Sequence, residues 1–228
     1  MNWLAQIVVD AETAHIQRIR DSYSWHQKLW DCFPNDANTQ RDFLTRIDLL
    51  DRQFCLWVLS RRQPQRPTWC PVESFACKAI SDTFLAHSFY AFDIRVNAVK
   101  SIVQRDEDGQ PLRNANGKRK RGKRVPLVNQ DELAAWFCRK GEVRCRDGKT
   151  GADIPGGFRL VKDRPLEISS MKESYFNKKG CKAYHGGVQF RGTLEVTDQK
   201  YFAETYRMGI GSAKGFGFGL FLLAPIQL

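Results

Sequence analysis

The sequence predicts an α+β fold, and three observations lead to it. Apolar and polar residues alternate from Leu4 to Asp10, apolar residues then recur three and four apart from Glu12 to Phe33, and alternating runs return at Phe43–Leu49 and Phe54–Leu59. Period two is the signature of a half-buried strand, and period 3.6 that of a helix with one buried face.

The elements follow in order. Leu4–Asp10, rich in β-branched residues, predicts the first strand. Ile16, Ile19, Tyr23, Trp30 and Phe33 form one apolar stripe, so Glu12–Phe33 predicts a single helix stopped by Pro34. Phe43–Leu49 and Phe54–Leu59 predict two strands around the polar Asp51-Arg52. Three prolines between Pro64 and Pro71 forbid a regular ladder and predict a loop. Glu73–Ala86 reads as a helix and Phe89–Val103 as a strand. Strand, helix, two strands, helix, strand is the order of the split βαβ, or ferredoxin-like, unit, which leaves one sheet face free for a ligand.

Asp106–Arg124 breaks this pattern with Asp108-Gly109, Asn116-Gly117 and a basic run, and predicts a linker or long hairpin. Beyond it, Asp131–Arg139 predicts a helix, Phe158–Met171 strands, and Val188–Val196 a cleanly alternating strand. Asp198–Met208 predicts a helix with Asp198 near its N-cap, and Phe218–Ile226 the last strand. The expected division is therefore 1–104, a basic segment 105–124, and a second α+β unit 125–228.

Composition bounds the function. Of 228 residues, 36 are Lys or Arg and 25 Asp or Glu, a formal charge of +11, while 42% are hydrophobic. That hydrophobic share supports a packed core, and the charge favours polyanionic partners. The longest apolar run, Phe218–Ile226, is half of the roughly 18 residues a membrane span needs. The start, Met1-Asn2-Trp3-Leu4, lacks the basic, apolar pattern of a secretory signal. The expectation is a cytoplasmic protein without membrane partners. Seven scattered cysteines without a CxxC pair argue for free thiols, and no Asp/Glu/His grouping has metal-ligand spacing, so no metal and no cofactor is expected.

Three features carry possible chemistry. Lys118, Arg119, Lys120, Arg121, Lys123 and Arg124 put six cations into seven residues; this is either a phosphate-binding track or a solvated loop. Gly209–Gly219 holds five glycines in eleven residues. It is neither a P-loop nor a dinucleotide fingerprint, because its spacing is wrong and it precedes a strand. Phosphate contact through Gly209, Gly211, Gly215 and Gly217 and a plain structural turn both remain open, with Lys214 favouring phosphate. His26, three residues after Tyr23 on the expected helix, is either a satisfied core histidine or one at a groove lip that moves protons near neutral pH.

Taken together, the residues resemble the CasE family, the CRISPR RNA-processing endoribonucleases of type I-E systems. Tyr23-Ser24-Trp25-His26, Leu29-Trp30, Phe33-Pro34 and Arg41–Arg46 carry the resemblance near the N-terminus, and Gly187–Asp198 carries it in the second half. Gly209-Ile210-Gly211, Lys214, Phe216-Gly217 and Gly219-Leu220 match the family's glycine-rich loop at every fixed position. The resemblance implies two tandem ferredoxin-like (RRM-like) domains ending in that loop, and cleavage of the CRISPR repeat transcript at the base of a stem-loop. His26 is then catalytic, Tyr23 assists it, and the loop binds RNA. Attack by the substrate's own 2′-OH implies a 2′,3′-cyclic (or 3′) phosphate and a 5′-hydroxyl, without metal. Partners would be the repeat stem-loop RNA and the other type I-E Cascade subunits. Arg159 and Lys162 are further RNA-contact candidates. The competing expectation is a non-catalytic subunit that only holds the RNA hairpin. A DNA-binding role lacks a recognisable helix-turn-helix or zinc module.

Overall fold

The computed structural model describes residues 1–34, 41–120, 122–171, 174–178 and 181–228, with the backbone alone at 174–178 and 181–185. The first unit opens with β1 (Asn2–Asp10), followed by helices α1 (Ala11–Ile16) and α2 (Ser22–Leu29), then β2 (Phe43–Leu50), β3 (Gln53–Ser60) and β4 (Phe75–Ile80). These strands form an antiparallel sheet in the order β2-β3-β1-β4. It is the ferredoxin-like order, with β1 inserted beside the β2-β3 hairpin.

Two expectations are corrected here. The stretch Glu12–Phe33 is two helices and a terminal 3-10 turn rather than one helix, because Arg18 takes a left-handed φ of 56°. Asp21 then caps a new helix: its carboxylate accepts from the Ser24 amide at 2.8 Å while the Ser24 hydroxyl accepts from the Asp21 amide at 2.9 Å. As a result Ile16 points to solvent, 66% exposed, and α2 buries Trp25 and Leu29 instead. The segment Glu73–Ala86, expected as a helix, supplies β4 and two short 3-10 turns. Ala76, Lys78 and Ala79 suit a helix, but β1 would otherwise carry an unpaired edge. Pairing from Asn2↔Ile80 to Ile7↔Phe75 satisfies that edge and overrides propensity.

The second unit repeats the topology. Its strands are β5 (Phe89–Val96), the hairpin β6 (Val99–Ile102) with β7 (Lys123–Pro126), then helix α3 (Gln130–Glu142) and the short pair β8 (Cys145–Arg146) and β9 (Asp153–Ile154). After them come β10 (Phe158–Leu160), β11 (Glu167–Ser170), the hairpin β12 (Ser174–Lys178) with β13 (Cys181–His185), β14 (Val188–Val196), helix α4 (Gln199–Met208) and β15 (Phe221–Pro225). The main sheet runs β10-β14-β5-β15, antiparallel throughout, with β11 also on β14. β5, which precedes residue 104, is thus a central strand of the second sheet. Asp198 caps α4 by accepting from the Tyr201 amide at 2.9 Å.

Alternation distributes the apolar residues. Tyr90, Phe92, Ile94 and Val96 of β5 join Phe137 of α3 and Phe202 of α4 in the larger core, all under 5% exposed. Ala5, Ile7, Trp25, Leu29, Phe43 and Leu56 form a smaller core beneath α2. Each fully buried side chain of this size contributes about 1.5–3 kcal/mol. The odd-numbered face of β5 looks toward the first sheet, and there Asp93 meets Arg46 at 2.8 Å while Arg95 meets Asp48 at 2.7 Å. This ionic seam ties the two sheets together.

Candidate active site

α2 positions Tyr23 and His26 one turn apart on the face that its buried Trp25 and Leu29 leave outward. Both side chains, with Gln27 and Trp30, line an open pocket of about 550 Å³ whose far wall is Gly215 and Phe216 of the glycine-rich loop. The His26 ring lies 6.0 Å from Phe43, 6.3 Å from Trp30 and 6.4 Å from Phe216, centroid to centroid. The imidazole is therefore half-buried in an aromatic frame and faces a cleft. The single apolar stripe that made a core position plausible does not exist, because the helix breaks at Arg18.

The loop reaches this pocket from the opposite end of the chain. Gly219 donates to the Arg95 carbonyl at 2.6 Å, Ile210 donates to the Gly219 carbonyl at 3.1 Å, and Ser212 bridges to Asn97. These bonds anchor both loop ends to β5 and its continuation. Of two glycines in the loop, one is closely approached by side chains and the other is required by its backbone conformation. At Gly215 a Cβ would stand 2.9 Å from Arg41 Nη1 and 3.9 Å from His26 Cε1. Gly217, with φ of 88°, turns the chain past Ile47 in a conformation that side chains rarely adopt.

Cations gather behind the loop. Arg41 Nη1 is buried and has no hydrogen-bond partner among the described residues. Burial also draws the Arg41 pKa below the usual arginine value. Lys214 donates to the Met208 carbonyl at 2.6 Å. Its pKa is lowered to about 8, first by burial and then by the charges of Arg144, Arg41 and Lys140, with Cys145 opposing. A surface that concentrates positive charge against its own repulsion is preorganised for an anion.

The other expected residues lie elsewhere. Lys118, Arg119 and Lys120 are exposed along the arm beyond the β6-β7 hairpin, and Arg121 lies outside the described residues. Lys123 and Arg124 sit on β7, and Arg124 reaches a cavity that also contains Gly209, Gly211 and Lys214. Arg159 is engaged by Glu195 through two bonds of 2.8 and 2.9 Å across β10 and β14, and Lys162 is exposed in the following turn. Neither lines the pockets around the loop. Arg41, Gln27 and Trp30 were missed as site residues. Arg41 stood within a recognised motif, but nothing in the linear pattern marked it as facing Gly215. Among the described residues no group of three or more His, Cys, Asp or Glu is placed to hold a metal ion. No helix among the described residues is long and apolar enough to cross a membrane.

Comparison with known proteins extends this geometry. The profile of a family described as CRISPR associated protein matches residues 2–225. The CRISPR system Cascade subunit CasE of Escherichia coli K12 is 28% identical over 207 residues, covering 91% of this chain and 94% of that protein. The CRISPR-associated endoribonuclease Cse3 of Thermus thermophilus is 33% identical over 107 residues, covering 46% of this chain and 48% of that protein. The crystal structure of the CRISPR-associated protein Cas6e from Escherichia coli K-12 superposes with a TM-score of 0.67 at 26% identity, covering 99% of this chain and all of that one.

Proposed function

As the chain belongs to the CRISPR associated protein family and is of the CasE type, we propose that it cuts the stem-loop of CRISPR repeat RNA and remains bound to the product as a Cascade subunit. The observation that carries this reading is the meeting of His26 and Tyr23 with Gly215 and Phe216 across one open pocket, with Arg41 behind the loop. A purely structural RNA subunit needs the cations but gives no reason for an imidazole at the cleft.

The substrate brings its own nucleophile. The 2′-oxygen forms a bond to the adjacent phosphorus, the bond from phosphorus to the 5′-oxygen breaks, and the products carry a 2′,3′-cyclic phosphate and a 5′-hydroxyl. One proton leaves the 2′-OH and one reaches the departing 5′-oxygen. His26 transfers one of these; histidine's ordinary pKa of about 6.5 suits either direction at neutral pH. Tyr23, one turn away, orients the imidazole or donates to the phosphate. Arg41 and Lys214 stabilise the extra negative charge of the five-coordinate phosphorus. The stem is gripped by shape and phosphates, since side chains cannot read the narrow A-form major groove. The arm bearing Lys118, Arg119 and Lys120 is suited to follow one strand.

Cleavage of cognate repeat RNA in excess chelator tests the mechanism. Full activity is expected, with a 5′-hydroxyl on the downstream fragment; strict dependence on a divalent ion, or a 5′-phosphate, would refute it.

Lys214 makes a second test, because its two pH effects have opposite signs. A lysine whose folded pKa of about 8 lies below the reference 10.5 destabilises the fold while charged, and the penalty is relieved as pH rises from 8 to 10.5. Wild type should therefore gain stability relative to Lys214→Met over that window. RNA affinity should move the other way, weakening roughly tenfold between about pH 7 and 9.5 as one charged phosphate contact is lost. In Lys214→Met that fall should vanish. Parallel pH profiles for the two proteins would remove Lys214 from the phosphate site.

A further inference from the structure

A second cavity, of about 390 Å³, opens on the other side of the glycine-rich loop from His26, between the loop, α3 and the base of the β6-β7 hairpin. Its volume falls in the range of pockets that hold small ligands, about 300–1,000 Å³. Four cations, Arg124, Lys140, Arg144 and Lys214, line it together with Trp136, and no carboxylate does. The chemistry proposed above uses only Lys214 of these.

Arg144 is the telling residue. Its side chain is 8% exposed, and Nη2 pairs with Glu204 at 3.1 Å. Nη1 is buried without a hydrogen-bond partner among the described residues. A charged donor left buried and unpaired is costly, so the arrangement calls for an acceptor from outside the chain. Lys140 is fixed beside it, donating to the Arg144 carbonyl at 3.1 Å and lying 5.6 Å over the Trp136 ring. The repulsion that lowers the Lys214 pKa comes in part from these same two residues, and an anion in the cavity would relieve it.

The cavity also continues a path. Lys214 lines the neighbouring cavity that Arg41 lines, and Arg41 abuts Gly215 beside His26. Arg41, Lys214 and Arg144 thus form a chain of cations leading from the pocket of His26 around the loop. With the cut placed at the 3′ foot of the stem, which the proposal takes as its premise, the nucleotides upstream are paired and stacked and cannot enter a cavity of one-nucleotide size. The strand beyond the cut is unpaired and can.

We propose that this cavity is a nucleotide subsite for the unpaired strand downstream of the cut, with the phosphate held by Arg144 and Lys140. The assignment rests on the endoribonuclease reading and adds to it a contact that only uncleaved RNA makes.

Hairpins made uncleavable by a 2′-deoxy nucleotide at the cut test it in three forms: ending at the scissile phosphate, extended downstream by a few nucleotides, or extended by as many at the 5′ end. For wild type the downstream extension should tighten binding roughly tenfold, the scale of one charge-assisted phosphate contact. Lys140→Ala and Arg144→Gln should bind the unextended hairpin as wild type does and lose that gain. Arg144 is buried, so Lys140→Ala, on a partly exposed helix position, keeps the test decisive if Arg144→Gln fails to fold. No gain in wild type, a gain retained in Lys140→Ala, or a gain from the 5′ extension alone would overturn the subsite. Failure of wild type to bind the unextended hairpin, or to cut the all-ribose form of the downstream-extended one, would instead overturn the endoribonuclease reading on which it stands.

Discussion

Replacing His26 by alanine will leave the RNA hairpin bound and uncut. The single-turnover rate at saturating protein should fall by about 10²–10⁴, the range for losing a positioned general acid or base. Affinity should stay within a few-fold, because the cations that hold phosphates are other residues. The fold should be spared as well. His26 is half-buried at the rim of an open pocket, and the anchors of its helix, Trp25 at 4% and Leu29 at 0% exposure, are untouched. A substitution at such a half-buried rim position costs about 1 kcal/mol, which leaves the protein folded. The comparison is therefore clean: a melting curve and a hairpin titration close to wild type, beside a cleavage time course that is not. Tyr23→Phe should retain measurable cleavage but change its pH profile, since it removes a hydroxyl that orients the imidazole or touches the phosphate. If His26→Ala cuts at the wild-type rate, the imidazole does no chemistry and His26 is only a packing residue of the pocket.

Much of this site was legible in the sequence because its parts are local. The glycine spacing of 209–219, the pair Tyr23 and His26 one turn apart, and the strand Val188–Val196 are each fixed by short-range chemistry, and the α+β class followed from periodicity, while the two tandem ferredoxin-like units followed from the family resemblance. The illegible parts are those that tertiary contact decides. Residues 73–86 carry a helical composition, yet β1 takes 75–80 as a strand because an unpaired edge costs more than a mismatched propensity. The break at Arg18 was hidden because Ile16 and Ile19 keep helical spacing across it. The capping pair Asp21 and Ser24 was the overlooked signal, for Ser in place of the usual Glu or Gln still closes the box. Arg41 and Arg144 could not be found from spacing at all. What sets them apart is an unpartnered buried nitrogen, and burial is a property of the assembled chain.

The other large effect is expected at Arg46, far from any substrate. Its side chain is 3% exposed, held by Asp48 at 3.0 Å and by Asp93 of the opposite sheet at 2.8 Å. Arg46→Ala leaves both carboxylates in place, with Arg95 at 2.7 Å from Asp48 and Arg191 at 2.9 Å from Asp93 as their remaining cationic partners. Removing one member of a buried ion network costs about 3–5 kcal/mol, because the surviving charges stay desolvated. For a chain of this length each kcal/mol is worth about 2–4 °C, so the melting temperature should drop by roughly 10 °C. The loss should be pH-dependent with a definite sign. Burial pushes the Asp93 pKa up, but hydrogen bonds and charge from Arg46, aided by Arg191 and Gln189, outweigh it and hold the carboxylate below 3.8. A depressed carboxylate stabilises the fold above its unfolded pKa and loses that contribution as pH falls through the folded one. The gap between wild type and Arg46→Ala should therefore be widest near neutrality and close below about pH 4. The seam also supports the glycine-rich loop, since Arg95 donates to the Ile47 carbonyl beside Gly217 and accepts from Gly219. Cleavage by Arg46→Ala should accordingly decline at temperatures where the protein is still folded. Equal melting of variant and wild type at pH 7 would mean that the apolar cores alone hold the two sheets in register.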